Sequence, residues 1–233
     1  MTGPARQLPL DLPQRTAFGR EDFLVTPSNA AAVALIDDWP NWPSHAQALI
    51  GPPGSGKSHL IAVWRGLSGA SAIAADRLAQ ADLAALVGTG HVAIEDAPGT
   101  ALAERALFHL LNLARDHSRS VLFTGREAPA AWPVALPDLA TRLRAVPSVA
   151  IALPDDALLR GVLVKHFADR QLAVEEAVIS YLAMRMPRSL DAARAVVAEI
   201  DRQALEGRHE VTRAFAARVL ARFGAPEFFD EER

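Results

Sequence analysis

The sequence contains no cysteine, which excludes disulfide bonds and thiolate metal sites. It also has no apolar stretch that approaches the ~20 residues of a membrane-spanning helix. Its first residues lack the charged segment, apolar run and small-residue cleavage site of an export signal. We therefore expect a soluble, cytoplasmic protein with no membrane partner.

An excess of positive charge is missing as well. Lys and Arg number 24 against 27 Asp and Glu, which makes the formal net charge −3 at pH 7. Binding to nucleic-acid phosphates depends on clustered cationic side chains, so we expect no strong direct contact with nucleic acid. With 233 residues, half of them hydrophobic, the chain is long enough for one large core and a second, smaller one.

Four regions of different composition follow one another along the chain. Residues 1–20 are rich in Pro and polar side chains and are predicted to form a flexible arm. Residues 21–153 alternate short apolar runs with longer helical patterns. Residues 154–223 contain only helical patterns, which predict a small helical domain, and residues 224–233 are predicted to be an acidic, solvated tail.

The alternation in residues 21–153 predicts an α/β domain with a parallel sheet. Its apolar runs are short and continuous, as strands are when both faces of a sheet are covered. These predicted strands lie at 47–51, 71–75, 91–95, 120–125 and 149–153. Helical patterns lie between them, including one predicted helix at 77–87.

The segment "GPPGSGKS" at 51–58 matches G-x-x-x-x-G-K-[ST] and stands between a predicted strand and a predicted helix. Glycines let the backbone approach phosphate oxygens, a lysine neutralises them, and the final hydroxyl can hold Mg²⁺. The alternative is a Gly/Pro turn that binds nothing. The predicted nucleotide-binding residues of this segment are Gly51, Gly54, Ser55, Gly56, Lys57, Ser58 and His59.

Two carboxylates follow the third predicted strand, in "HVAIEDAPG". An acidic group at a strand end beside a phosphate loop is typical of a magnesium site. We predict that Glu95 supports the metal with Ser58 and that Asp96 polarises the attacking water. The alternative is that Asp96 merely caps the next helix.

Two arginines outside the phosphate loop are further candidates. Arg142 lies in "LPDLATRL" and Arg188 in "MPRSLDAA". A guanidinium suits the charge of a phosphate in a transition state better than an ammonium does. The alternative for each is an ordinary solvated surface cation.

Four segments together resemble the DnaA-related AAA+ ATPases: "GPPGSGKSHL", "TGREAP", "LPDLATRL" and "RSLDAARAVV". The resemblance covers residues 7–223 and is closest to the Hda-like proteins of the regulatory inactivation of DnaA. It implies an AAA+ P-loop domain followed by a helical lid. It further implies that Arg142 is an arginine finger that acts in trans on ATP in a neighbouring subunit, and that Arg188 is the sensor 2 arginine, which touches the protein's own nucleotide.

The same resemblance gives a role to the leucines of the arm. Hda-like proteins carry a motif for the DNA polymerase sliding clamp, Q-L-x-L-x-L, and "QLPLDL" matches it at Gln7, Leu8, Leu10 and Leu12. By itself so short a match also fits a tail that binds nothing. DnaA has a DNA-binding domain after its lid, whereas here the acidic tail follows, so we expect a regulator rather than an initiator.

Departures from the family pattern concern ATP turnover. The aspartate pair of DnaA is replaced by Glu95 and Asp96, and the acidic residue of sensor 1 by Arg126. Hydrolysis depends on closely positioned groups, so we expect weak intrinsic ATPase activity. Nucleotide binding needs the phosphate loop, the lid and the segment Asp22 to Asn29, which we expect beside the adenine.

The leading hypothesis is a protein that holds ADP or ATP with Mg²⁺, binds the sliding clamp and stimulates ATP hydrolysis by DnaA. The alternatives are a self-assembling AAA+ ATPase that loads or remodels replication proteins, and an interaction module whose nucleotide site is structural. The sequence leaves open whether the chain forms a homo-oligomer.

Overall fold

The computed structural model describes residues 24–207 and 209–223. This part of the chain divides into two compact units between Leu153 and Pro154. Residues 1–20, predicted to be a flexible arm, and the predicted tail at 224–233 lie outside the described residues. Of the helices that the structure describes, none has both the length and the hydropathy needed to cross a bilayer.

The first unit contains a five-stranded parallel sheet. Its strands are β1 (Ala46–Ile50), β2 (Ser71–Ala74), β3 (Val92–Ala97), β4 (Val121–Gly125) and β5 (Ser148–Ala150). Their order across the sheet is β2-β3-β4-β1-β5, and every neighbouring pair is parallel. The predicted α/β fold with a parallel sheet is therefore confirmed.

Helices cover both faces of this sheet. They are α1 (Ala30–Asp37), α2 (Lys57–Ser68), α3 (Leu83–Gly88), α4 (Glu104–Asp116) and α5 (Pro137–Arg144). Successive strand residues point to opposite faces, so the sheet contributes to two cores. Leu49 and Leu122 pack with α1 and α2, whereas Ala48 and Phe123 pack with α3, α4 and α5.

The segment between β2 and β3 differs from the prediction. Residues 77–87 were expected to form one helix, but the structure has a 3-10 helix at Ala75–Gln80 and a separate α3. The break is at Asp82, whose side chain accepts a hydrogen bond from the amide of Ala85 at 2.9 Å. An aspartate that caps a helix start in this way competes with a continuous helix.

The second unit is a helical bundle whose helices bury one apolar face each. Within the described residues it consists of α6 (Asp156–Asp169), α7 (Glu176–Arg185), α8 (Leu190–Gly207) and α9 (Arg213–Phe223). Its core includes Leu163 and Phe167 of α6, Leu182 of α7, Val197 of α8 and Phe215 of α9. This matches the small helical domain expected after the sheet.

Replacing Gly125 with Ala should lower the free energy of unfolding. A Cβ at this position would lie 2.3 Å from the carbonyl oxygen of Ala97 on β3, so the backbones must shift, at a cost of about 1–3 kcal/mol. Gly66 is a matched control, because a Cβ on this α2 glycine meets nothing within 4 Å. Gly66→Ala should raise the stability by about 0.5–1 kcal/mol.

Urea denaturation of both variants measures this difference. Equal stability of Gly125→Ala and the wild type would contradict the close approach of β3 and β4.

Candidate nucleotide-binding site

The loop at residues 51–56 leaves β1, which lies between β4 and the edge strand β5. The amide of Gly51 donates to the carbonyl oxygen of Gly125 at 3.0 Å. A Cβ on Gly51 would lie only 2.5 Å from the carbonyl oxygen of Ile151, just beyond β5. The first position of the loop therefore requires a residue without a side chain.

Two more glycines turn the loop into the start of α2. Gly54 and Gly56 have φ angles of 70° and 101°, a region that glycine adopts at little cost. Gly56 is the N-cap of α2, and the first turn of this twelve-residue helix contains no acidic residue. Unpaired amides and the helix dipole make such a start favourable for an anion.

Polar side chains of the loop are buried or lie close to its backbone. Lys57 is 9% exposed, and its Nζ donates to the carbonyl oxygens of Gly51 and Pro52, both at 2.8 Å. Ser55 is 3% exposed, and its Oγ has no hydrogen-bond partner in the part of the chain that the structure describes. A buried hydroxyl of this kind fits a phosphate oxygen. Ser58 is exposed and His59 half-buried.

The carboxyl end of β3 has a bulge that places Asp96. Ile94 pairs with Phe123 and Ala97 with Gly125, so β3 has one more residue than β4 between these pairs. Asp96 has a φ of 54°, and its amide donates to the buried hydroxyl of Thr124 at 3.3 Å. Bulges turn a side chain in a new direction. Asp96 is exposed, at the same sheet edge as the loop after β1.

Glu95, the neighbour of Asp96, is half-buried. Burial raises its pKa, the nearby Asp96 carboxylate raises it further, and Arg65 acts in the opposite direction. A cation bound beside Glu95 would lower the free energy needed to ionise its carboxyl group. Carboxylate and hydroxyl oxygens are ligands that Mg²⁺ accepts, completed by phosphates and water.

The oxygens of Glu95 and Ser58 are thus of a kind that fits Mg²⁺ arriving with a nucleotide, with the Asp96 carboxylate beside Glu95. No group of three or more His, Asp or Glu side chains among the described residues could hold a metal by itself.

Arg142 lies on α5 with its guanidinium over an aromatic ring. The carbon of the guanidinium is 4.8 Å from the ring centre of Phe108 on α4. The side chain is half-buried, and within residues 24–207 and 209–223 it forms no ion pair. Its positive charge is therefore not neutralised by a carboxylate of the described chain.

Glu104 fixes the start of α5, a role that no sequence pattern indicated. The carboxylate of Glu104, on α4, accepts hydrogen bonds from the amides of Ala135 and Leu136 at 2.9 and 2.7 Å. Both amides lie directly before α5. Glu104 thus joins the two helices that carry Phe108 and Arg142.

Arg188 lies in the helical unit, two residues before α8. Its Nε donates to the carbonyl oxygen of Pro154 at 3.0 Å, and its Nη1 to Oδ1 of Asp156 at 2.7 Å. The side chain is 46% exposed and that of Asp156 more so. An exposed pair of this kind is weak, so the guanidinium can exchange Asp156 for another anion.

The remaining predicted site residues belong to the clamp motif, to the segment Asp22 to Asn29 and to the loop after β4. Gln7, Leu8, Leu10 and Leu12 of the clamp motif lie outside the described residues, as does Asp22. Asn29 is buried, accepts from the amide of Thr26 at 2.8 Å and donates to the carbonyl oxygen of Leu24 at 2.9 Å. Arg126, directly after β4, is exposed.

Comparison with known proteins gives a likeness in three dimensions alone. No protein-family model matches the chain, and no curated protein matches it. Domain III of the replication initiation protein DnaA from Thermotoga maritima superimposes with a TM-score of 0.77 at 17% identity, covering 92% of this chain and 100% of that one. The likeness shows the fold alone: a parallel sheet with helices, followed by a helical unit, as in domain III of DnaA.

Two further structures extend the likeness. AMPPCP-bound DnaA from Aquifex aeolicus has a TM-score of 0.65 at 18% identity, over 80% of this chain and 66% of that one. The RuvB Holliday junction branch migration motor of Thermotoga maritima has a TM-score of 0.61 at 13% identity, over 80% of this chain and 64% of that one. This chain thus spans about two thirds of their length.

Glu95→Gln should change the stability of the protein in a pH-dependent way. The pKa of Glu95 is raised in the folded state, so the protonated carboxyl favours the folded protein. This stabilisation is fully present below the unfolded pKa of about 4.3 and is lost as the pH rises through the pKa of Glu95 in the folded protein. Glutamine cannot ionise, so the variant should gain stability relative to the wild type across that window.

Urea unfolding of both proteins from about pH 4 to neutral pH measures the difference. Glu210→Gln, in the helical unit, controls for the loss of an exposed carboxyl. A difference between wild type and Glu95→Gln that does not vary with pH would contradict the raised pKa.

Proposed function

We propose that the protein is an Hda-like regulator of replication initiation, which binds adenine nucleotide and the sliding clamp and stimulates ATP hydrolysis by DnaA. The observation that carries this proposal is a glycine-rich loop with a buried lysine, of the kind that suits phosphate, in the same unit as an arginine whose charge no described carboxylate neutralises. The loop serves the protein's own nucleotide. The arginine serves a nucleotide held by a partner.

Binding of the protein's own nucleotide relies on the loop between β1 and α2. Lys57 would exchange the carbonyl oxygens of Gly51 and Pro52 for phosphate oxygens, and Ser55 would donate to the same phosphates. Mg²⁺ would be held by Ser58 and Glu95. Support comes from the likeness to DnaA structures that contain AMPPCP. We take ADP as the nucleotide held while the protein acts on DnaA.

Action in trans relies on Arg142. An arginine finger neutralises charge on the transferred phosphoryl group and raises phosphoryl-transfer rates about 10³- to 10⁵-fold. Phe108 supports the guanidinium without neutralising it, so the charge remains available to a triphosphate outside the subunit. ATP held by DnaA is the proposed target, and its hydrolysis would leave the initiator inactive.

Proximity to DnaA would come from the clamp motif. Leucines of "QLPLDL" would enter an apolar pocket of the clamp while Gln7 forms hydrogen bonds, and the prolines reduce the entropy lost on binding. Tethering to clamp on DNA raises the local concentration of two weakly interacting proteins. Such a tether would confine DnaA inactivation to DNA that is being replicated.

A self-assembling ATPase is the second candidate, because the carboxylates needed for hydrolysis are present. Asp96 is exposed on the bulge of β3, beside Glu95. The likeness to the RuvB motor also fits this candidate. Rapid ATP hydrolysis by the purified protein alone would favour it over the regulator, whose intrinsic rate should be slow.

Arg142→Ala should remove most of the stimulation of DnaA-bound ATP hydrolysis, because the transition state loses its extra positive charge. We expect a loss of at least about 10³-fold in the stimulated rate where the step is limited by chemistry. Arg144→Ala is the matched control, since Arg144 is an exposed arginine on the same helix. ADP binding by both variants should equal that of the wild type.

The assay contains DnaA-ATP, clamp loaded on DNA and either variant. In a second set of reactions, the arm variant with Gln7→Ala and Leu8→Ala should lose the stimulation seen with clamp present. The basal rate of ATP hydrolysis by DnaA should stay the same. If both Arg142→Ala and the arm variant stimulated hydrolysis as strongly as the wild type does, the proposed role as a regulator would be contradicted. An unchanged rate with Arg142→Ala alone would indicate an interaction module.

A further inference from the structure

The helical unit brings the chain's single tyrosine together with two arginines. The guanidinium carbon of Arg185, on α7, lies 5.2 Å from the ring centre of Tyr181, and that of Arg213, at the start of α9, lies 5.4 Å from it. Both cations thus surround one ring, although they come from different helices. A ring that supports two guanidinium groups holds them in fixed places at a low cost in entropy.

Four arginines of the same unit have an acidic partner within ion-pair distance, whereas these two, like Arg194, Arg218 and Arg222, have none among the described residues. Arg160, Arg170, Arg188 and Arg202 each lie within ion-pair distance of a carboxylate. Arg185 and Arg213 form no such pair within the residues that the structure describes. The two cations of this cluster therefore present an uncompensated positive charge at the surface.

An exposed apolar side chain adjoins the two charges. Met184 is 80% exposed. It follows Tyr181 by three residues and Arg185 follows by four, so the three side chains lie on one face of α7. Tyr, Arg and Met are enriched in the centres of protein interfaces, where arginine and aromatic side chains carry much of the binding energy.

We propose that Tyr181, Met184, Arg185 and Arg213 form a docking surface for an acidic segment of a partner protein. A guanidinium stacked on a ring keeps its N–H groups free at the edge, where they can bind a carboxylate through two parallel hydrogen bonds. Apolar residues of the segment would cover Met184. This surface uses neither Arg142 nor the phosphate loop.

A nucleic-acid ligand fits the cluster less well. Single-stranded nucleic acids bind to proteins through aromatic rings that are open to stacking bases, lined by an extended basic groove. Here the tyrosine ring is half-buried and already carries two guanidinium groups. The chain as a whole is also acidic, with a net charge of −3. An acidic protein segment is therefore the better match.

The single tyrosine makes the surface directly observable. Protein prepared with 3-fluorotyrosine has one ¹⁹F signal, from Tyr181, in the full chain. The probe is a short synthetic peptide that alternates Glu and Asp with Leu, compared with a neutral peptide that has Gln and Asn in their place. Titration with the acidic peptide should shift the signal until the protein is saturated, and the affinity for the peptide should fall as salt is added. The neutral peptide should leave the signal unchanged.

Charge removal tests the assignment of the two arginines. The double variant Arg185→Gln, Arg213→Gln should bind the acidic peptide at least about tenfold more weakly. Arg218→Gln is the matched control, since Arg218 is an exposed α9 arginine that lies over the ring of Phe215 instead. It should bind like the wild type. Because all three positions are exposed, urea unfolding should be nearly the same for each protein.

Several results would overturn the proposal. One is absence of a shift with the acidic peptide, and another is equal binding by the double variant. Tighter binding of a single-stranded thymidine oligonucleotide, dependent on the same two arginines, would make the surface a nucleic-acid site. A shift of the free signal on replacing Glu227, Asp230, Glu231 and Glu232 by their amides would indicate that the chain's own tail occupies it. None of these results bears on Arg142.

Discussion

The backbone on either side of β1 is the constraint on which the nucleotide site depends. β4 binds the amide of Gly51 through the carbonyl oxygen of Gly125, and the chain after β5 leaves no space for a side chain on Gly51. The loop must therefore turn closely over the sheet and enter α2 through Gly56. This path places Lys57 against the loop carbonyls and the start of α2 towards solvent. Parallel pairing brings the end of β3 to the same edge.

Charge at this edge is arranged in a way that suits a nucleotide with its cation. Burial and the neighbouring Asp96 carboxylate raise the cost of ionising Glu95, which a divalent cation would relieve. Lys57 and the α2 dipole favour phosphate.

The arginines are held differently, because Arg188 has a weak ion pair with Asp156 and Arg142 is stacked on Phe108. Neither arrangement prevents a guanidinium from binding a stronger anion.

Sequence patterns were sufficient for the fold because its signals are local. Continuous apolar runs predicted the strands, the 3.6-residue period predicted the helices, and the phosphate loop has a motif within eight residues. The exception at 77–87 is also local, since Asp82 competes with the helix through its own side chain. The roles assigned to Arg142, Arg188 and the clamp motif stay predictions.

Contacts between distant parts of the chain were not predicted. The bulge at Glu95 and Asp96 depends on the register between β3 and β4, which no residue pattern within β3 encodes. Phe108 meets Arg142 only because α4 and α5 pack on the same face of the sheet, and Glu104 joins them through amides about thirty residues away. Tyr181 and Arg213 likewise meet across two helices. Such pairs follow from packing and not from periodicity.

Nucleotide binding by a lysine variant tests the central claim most directly. Lys57→Ala removes the ammonium from the loop, whereas Lys165→Ala removes the only other lysine of the chain, from α6 of the helical unit. Calorimetric titration with ADP and ATP in the presence of Mg²⁺ should show binding by the wild type and by Lys165→Ala. Lys57→Ala should bind at least about tenfold more weakly, as expected for the loss of a charge-assisted hydrogen bond. Equal affinity of the two variants, or no binding by the wild type, would contradict the account.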